Sequence, residues 1–123
     1  MWRNLLLVAA GGAVGSVLRY MLHKFLYDLT PTPFPYGTFA VNIIGCLLIG
    51  ILYGLFVADG VGTNSLKLLL ITGFCGGFTT FSAFTLEGMA LLQQQRFITF
   101  FVYFAASICL GLAATFAGAW LTR

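Results

Sequence analysis

Charge is what this sequence has least of. Of its 123 residues only 9 are charged, 6 Lys+Arg and 3 Asp+Glu, against roughly a quarter in an average soluble domain. A folded chain this small must cover most of its surface with polar groups, so nine charges exclude a water-soluble monomer. The single histidine, His23, and both aspartates, Asp28 and Asp59, fall at helix ends or in loops. That pattern offers no Ser/His/Asp triad or paired carboxylates, and enzyme readings are weak. The three cysteines, Cys46, Cys75 and Cys109, lie in different predicted spans without a C-x-x-C pair. They read as small buried residues rather than a disulfide framework or a thiolate metal site. A net charge of +3, scattered along the chain, does not suggest nucleic acid. Gly11-Gly12-Ala13-Val14-Gly15-Ser16 is no phosphate-cradling loop, because no strand precedes it and no GK[ST] follows.

What is present is apolar and continuous. Hydrophobic residues make up 60% of the chain, and residues 29–58, 68–86 and 97–122 contain no ionisable acid or base. Each run is long enough for the roughly 20 residues of helix that cross a bilayer. A shorter run over residues 4–18 continues past Arg19, which can snorkel from a helix end. Transmembrane β-strands need alternating polarity, which these runs lack. The fold class expected is all-α integral membrane, one domain over residues 1–123, with helices near 4–26, 36–57, 65–93 and 97–121. The first run lacks a clean small-x-small cleavage site and is read as a helix, not a secretory signal. Pro31, Pro33 and Pro35 separate the first two helices. Residues 58–62 mark the second loop and residues 93–96 the third.

Basic residues barely distinguish the two sides. Arg3, Lys67 and Arg123 fall on one side; Lys24 and Arg96, with Arg19 if it snorkels that way, fall on the other. Either packing sets a single orientation, or the chain inserts both ways and pairs as an antiparallel dimer. The 15 glycines exceed the roughly 7% of an average chain. Gly11 and Gly15, Gly50 and Gly54, and Gly73 and Gly77 have the small-xxx-small spacing of close helix contacts.

The densest polar constellation inside a span is Gly73-Phe74-Cys75-Gly76-Gly77-Phe78-Thr79-Thr80-Phe81-Ser82. Each interior glycine costs up to about 1 kcal/mol relative to alanine, so the sequence predicts a break in helix 3 near its middle. Backbone groups freed there must line a cavity or hold an ion. The alternative is a continuous helix with a glycine packing face. Phe81 and Phe84 share one face after the break, Ser82 and Thr85 the neighbouring one. A ring edge carries partial positive charge and can meet an anion without trapping it. Asn42, the only side-chain amide of the second span, is an anion donor or an interhelical hydrogen-bond former. On helix 4, Tyr103, Ser107, Gly111 and Thr115 make a polar stripe that serves function and interhelical packing equally. Glu87, the only acid within a span, lies about 9 Å of helical rise before Gln93. It is a vestibule group or a snorkelling one, and Arg19 is likewise vestibular or structural.

These residues carry a family resemblance along nearly the whole chain. Gly11-Gly12-Ala13-Val14-Gly15 through Arg19-Tyr20, Tyr36-Gly37-Thr38-Phe39-Ala40-Val41-Asn42-Ile43-Ile44-Gly45, and above all Gly73 through Phe84 followed by Glu87, resemble the Fluc/CrcB family of small fluoride channels. The resemblance implies an antiparallel, dual-topology homodimer of four-helix subunits with two fluoride pores and a structural sodium ion on the two-fold axis. It implies that Phe81 and Phe84 are the pore phenylalanines and Asn42 the pore amide. Tyr103 and Ser107 would line the path from helix 4, and Thr80, Ser82, Thr85 and Glu87 would border its polar side. The backbone carbonyls of Gly76 and Thr79 would hold the sodium, suiting a hard cation. Ala83 departs from the pattern, since many relatives carry a hydroxyl there. The function implied is passive export of cytoplasmic fluoride across a bacterial plasma (inner) membrane, with fluoride, sodium, the lipid bilayer and a second copy as partners. Two rivals remain. A dual-topology, proton-coupled small multidrug exporter needs a carboxylate deep in helix 1, which this chain lacks. A non-conducting membrane assembly subunit would pack through its glycines alone.

Overall fold

The computed structural model describes residues 1–29, 34–58 and 64–122. Among these residues helix is the only regular secondary structure, and four helical stretches are long and apolar enough to cross a membrane. Helix α1 spans Trp2–Leu29, about 42 Å at 1.5 Å per residue. It exceeds the hydrocarbon thickness of ~30 Å, which is why it extends beyond the expected 4–26: its terminal charges, Arg3, Lys24 and Asp28, are exposed and can sit in the headgroup layer. Helix α2 covers Tyr36–Leu52 after Pro35 and continues as π-helical turns over Tyr53–Ala58. The third span has two parts. Helix α3 occupies 64–78, α-helical over Asn64–Lys67, π-helical over Leu68–Cys75 and α-helical again over Gly76–Phe78. Helix α4 is Phe81–Gln93 and α5 is Phe97–Leu121. Pro31, Pro33 and residues 59–62 of the expected loops lie outside the described residues.

Two seams hold the bundle together. Helix α1 lies against α3 so closely that a methyl on Gly15 would press into the Phe74 carbonyl and stand 2.8 Å from the Phe78 nitrogen. A methyl on Gly77 would lie 2.6 Å from the Gly12 carbonyl oxygen. Lipid offers no hydrophobic drive for helix association, so such backbone approach supplies the van der Waals contact that does. The second seam joins α2 to α5. Thr115 Oγ1 donates to the Cys46 carbonyl at 3.1 Å, and Thr122 Oγ1 to the Ile51 carbonyl at 3.2 Å. The lower part of the polar stripe on α5 is thus spent on interhelical bonding.

Helices α4 and α5 form a hairpin through a Schellman turn. Arg96 N donates to Leu91 O and Gln95 N to Leu92 O, with Gln95 in the left-handed region at φ 59° where glycine is the usual occupant. The tight return sets Glu87 of α4 opposite Tyr103 of α5.

Between α3 and α4 the backbone leaves the helix. Thr79 (φ −85°, ψ 155°) and Thr80 (φ −150°, ψ 127°) are extended, in the middle of the 30-residue span Asn64–Gln93. The glycines of the 73–82 constellation are not the extended residues. Gly73, Gly76 and Gly77 are all helical; the contact with α1 uses the missing side chains of Gly73 and Gly77, whereas Gly76 faces open space.

Candidate functional site

The extended pair is anchored by one side chain. Asn42 of α2 reads both backbone groups of Thr80: Oδ1 accepts from Thr80 N at 3.2 Å, and Nδ2 donates to Thr80 O at 3.4 Å. Thr80 then caps α4, its Oγ1 accepting from Ala83 N at 3.3 Å, a standard N-cap bond. Thr79 points its hydroxyl back to the Cys75 carbonyl at 2.8 Å, and its N–H bonds the same oxygen at 3.0 Å.

These bonds leave two carbonyls without their helical partners. In a continuous helix the Gly76 carbonyl would accept from Thr80 N and the Thr79 carbonyl from Ala83 N. Thr80 N goes to Asn42 instead, and Ala83 N goes to the Thr80 hydroxyl. Both residues line an open cleft of about 470 Å³ together with Asn42, Thr80, Phe81, Phe84 and Ser107. Nothing lies within 4 Å of the position a Gly76 methyl would take. Carbonyl oxygens are hard donors of the kind that suits an alkali or alkaline-earth cation.

Phe81 is 76% exposed and Phe84 8%. Their ring centroids are 6.0 Å apart with planes at 43°. Phe84 is clamped by Phe104, stacked at 4.3 Å, and by Tyr103 at 5.1 Å. Phe81 projects into the cleft without such support. Across it, the Ser107 hydroxyl is buried with no hydrogen-bond partner.

Beyond Phe84 the polar groups gather on Glu87. Thr38 Oγ1 donates to Oε1 at 2.6 Å, Tyr103 OH donates to Oε2 at 3.3 Å, and His23 Nε2 stands 3.5 Å from Oε1. Tyr103 is fully buried and Thr38 is 2% exposed. Neither Thr38 nor His23 was singled out from sequence as a site residue. A signal existed for both: Thr38 precedes Asn42 by four residues and His23 follows Arg19 by four, the spacing that shares a helix face.

Asn42, Thr80, Phe81, Phe84 and Ser107 are therefore brought together, with Gly76 and Thr79 beside them. Tyr103 and Glu87 lie in the cluster at the far side of Phe84. Ser82 and Thr85 are exposed and do not line the cleft. Ser82 Oγ is 3.2 Å from Thr80 Oγ1, and Thr85 Oγ1 donates to the Ser82 carbonyl at 3.0 Å. Arg19 Nε donates to the Gly77 carbonyl at 3.1 Å, tying α1 to α3 outside the cleft.

Four apolar spans around an extended, amide-anchored segment define a multi-pass α-helical membrane protein with a polar row beside an open cleft. The comparisons narrow that class. The family model described as CrcB-like protein, Camphor Resistance (CrcB), matches residues 6–119, and the chain belongs to this family. A protein of Phocaeicola vulgatus named fluoride-specific ion channel FluC is 45% identical over 121 residues, 98% of this chain and 99% of its own length. One of the same name from Rhizobium etli is 48% identical over 118 residues, 96% and 94% of the two chains. Another, from Leptospira interrogans, is 38% identical over 121 residues, 98% and 95%.

Proposed function

We propose that this protein is a fluoride-selective passive channel, not an enzyme, that carries fluoride out of the cell across a bacterial plasma membrane. The observation that carries this reading is family membership over almost the whole chain, with relatives named as fluoride-specific channels at 45–48% identity. The geometry supplies a physical route. Fluoride is small and strongly hydrated, so a path must replace its water with donors. The second N–H of Asn42, the unpartnered hydroxyl of Ser107 and the ring edges of Phe81 and Phe84 are such donors, and none is a fixed cation that would hold the ion. Thr80, Ser82, Thr85, Tyr103 and Glu87 border the row on its polar side in this reading.

In the working form two copies pack antiparallel, each closing the other's open cleft, with two pores per dimer. The exposure of Phe81 and of the Gly76 surface supports a second copy there, since lipid cannot satisfy bare carbonyls. The Gly76 and Thr79 carbonyls of both copies then offer four oxygens to a structural sodium ion on the two-fold axis. That ion would supply charge to hold the interface and takes no part in conduction. Dual topology agrees with the nearly balanced basic residues of the two sides.

Purified protein in potassium fluoride liposomes, followed with a fluoride electrode after valinomycin, tests the reading. Fast valinomycin-dependent fluoride release, with no chloride release from potassium chloride vesicles, is expected. Equal chloride release, or no fluoride release from a folded dimer, refutes it.

A further inference from the structure

One titratable side chain meets the polar row without a part in the proposed path. His23 approaches Glu87 at 3.5 Å, and its side chain is 44% exposed. The seat is shaped by α2: a methyl at Gly37 would stand 2.7 Å from the imidazole ring. Glycine there lets the ring come close against the helix, and its Nε2 reaches the carboxylate that Thr38 also bonds.

A carboxylate is an acceptor only, and its negative charge beside an anion path opposes entry of the anion. The hydroxyls of Thr38 and Tyr103 hydrogen-bond Glu87 but leave its charge uncancelled. An imidazolium at 3.5 Å cancels it. The other charged and titratable groups around His23 do not take that role. On α1, Arg19 keeps its charge but donates Nε to the Gly77 carbonyl and forms no ion pair with Glu87, and Tyr20, Lys24 and Tyr27 are exposed. From α2 there is exposed Tyr36, from α4 Glu87 itself, and from α5 Tyr103, which reaches the histidine only through Glu87. Among the described residues the one ion pair of Glu87 is with His23.

We propose that His23 is the counter-charge of Glu87 at the mouth of the fluoride path, and that its protonation sets the conductance, fast with a cationic ring and slow with a neutral one. Histidine is suited to this because its charge changes near physiological pH. The inference rests on the channel reading, and the experiment separates the two. Initial rates of valinomycin-dependent fluoride release are measured from liposomes with equal pH on both sides, at about pH 6 and about pH 8. Subtracting release without valinomycin removes the electroneutral leak of hydrogen fluoride. The wild type is expected to slow roughly three- to fivefold between the lower and the higher pH, the scale of one partly screened charge. His23→Gln keeps an N–H donor without a titrating charge and is expected to be slow at both. His23→Lys carries its charge throughout and is expected to be fast at both. A wild-type rate independent of pH, or a His23→Gln protein that keeps the wild-type ratio, overturns the inference while leaving the channel reading intact. Should His23→Lys not assemble, the comparison of wild type with His23→Gln decides alone. Absence of valinomycin-dependent release from the wild type at either pH overturns both.

Discussion

Replacing Phe81 by isoleucine separates conduction from folding, because the two phenylalanines proposed for the path differ so sharply in their surroundings. Phe81 is 76% exposed, and the part that faces lipid or a second copy gives up little when shortened, since hydrocarbon outside is as apolar as the side chain. The loss to the subunit is its tilted contact with Phe84, no more than about 0.5–1.5 kcal/mol. Phe84→Ile is different. It removes a buried ring stacked on Phe104 at 4.3 Å and packed on Tyr103 at 5.1 Å, and a cost of roughly 2–4 kcal/mol follows from two aromatic contacts and the void. Conduction should not follow that order. An anion that loses one ring edge loses a favourable contact of about 1.5 kcal/mol, a tenfold effect on its occupancy of the path. The assay pairs fluoride efflux per amount of reconstituted protein with thermal unfolding and size-exclusion in detergent. Phe81→Ile is expected to elute and melt like the wild type while conducting at least about tenfold less. Efflux within twofold of wild type from a normally assembled Phe81→Ile protein would refute the assignment of this ring to the path.

Three further outcomes follow from the same geometry. Asn42→Ala strips both backbone groups of Thr80 of their partner and is expected to lower subunit stability by about 1–2 kcal/mol and to abolish selective efflux, read by detergent melting and by the fluoride electrode. Gly15→Ala drives a methyl into the backbone of α3 and should destabilise by roughly 1–3 kcal/mol. Gly76→Ala meets nothing within its own subunit, so it should leave subunit helicity by circular dichroism unchanged while weakening self-association in size-exclusion. Exchanging sodium for a large organic cation should lower the melting temperature of the wild type and leave the Gly76→Ala protein unmoved; an unaltered wild-type melting curve would count against the proposed cation.

Much of the architecture is legible before any coordinates. Three long uncharged runs and a shorter one that continues past Arg19 allow only helices in a bilayer, and the run of residues from Gly73 to Phe84 carries a family resemblance that the relatives support over nearly the full chain. The interior of the third span is legible only in part. Its glycines announce irregular backbone by composition, yet they are helical, and the extended residues are Thr79 and Thr80. Propensity weighs a glycine against water or its own helix, whereas at Gly73 and Gly77 α1 fills the space the side chain would occupy. Cluster membership is also invisible in one dimension. Thr38, His23, Glu87 and Tyr103 come from four different helices, and His23 read alone is only a polar residue near a helix end.

Hydrophobic run length, charge scarcity and motif spacing are properties of the chain itself, and they determined that this protein lives in a membrane as four helices and which residues are polar within them. Which polar group meets which was decided by the tertiary structure. Asn42 takes the N–H of Thr80 away from Gly76 across a gap of 38 residues, and two helix seams set the distance at which it can do so. In lipid no water stands ready to satisfy whatever is left over, so the pairing of each backbone group depends on the neighbour that packing brings to it.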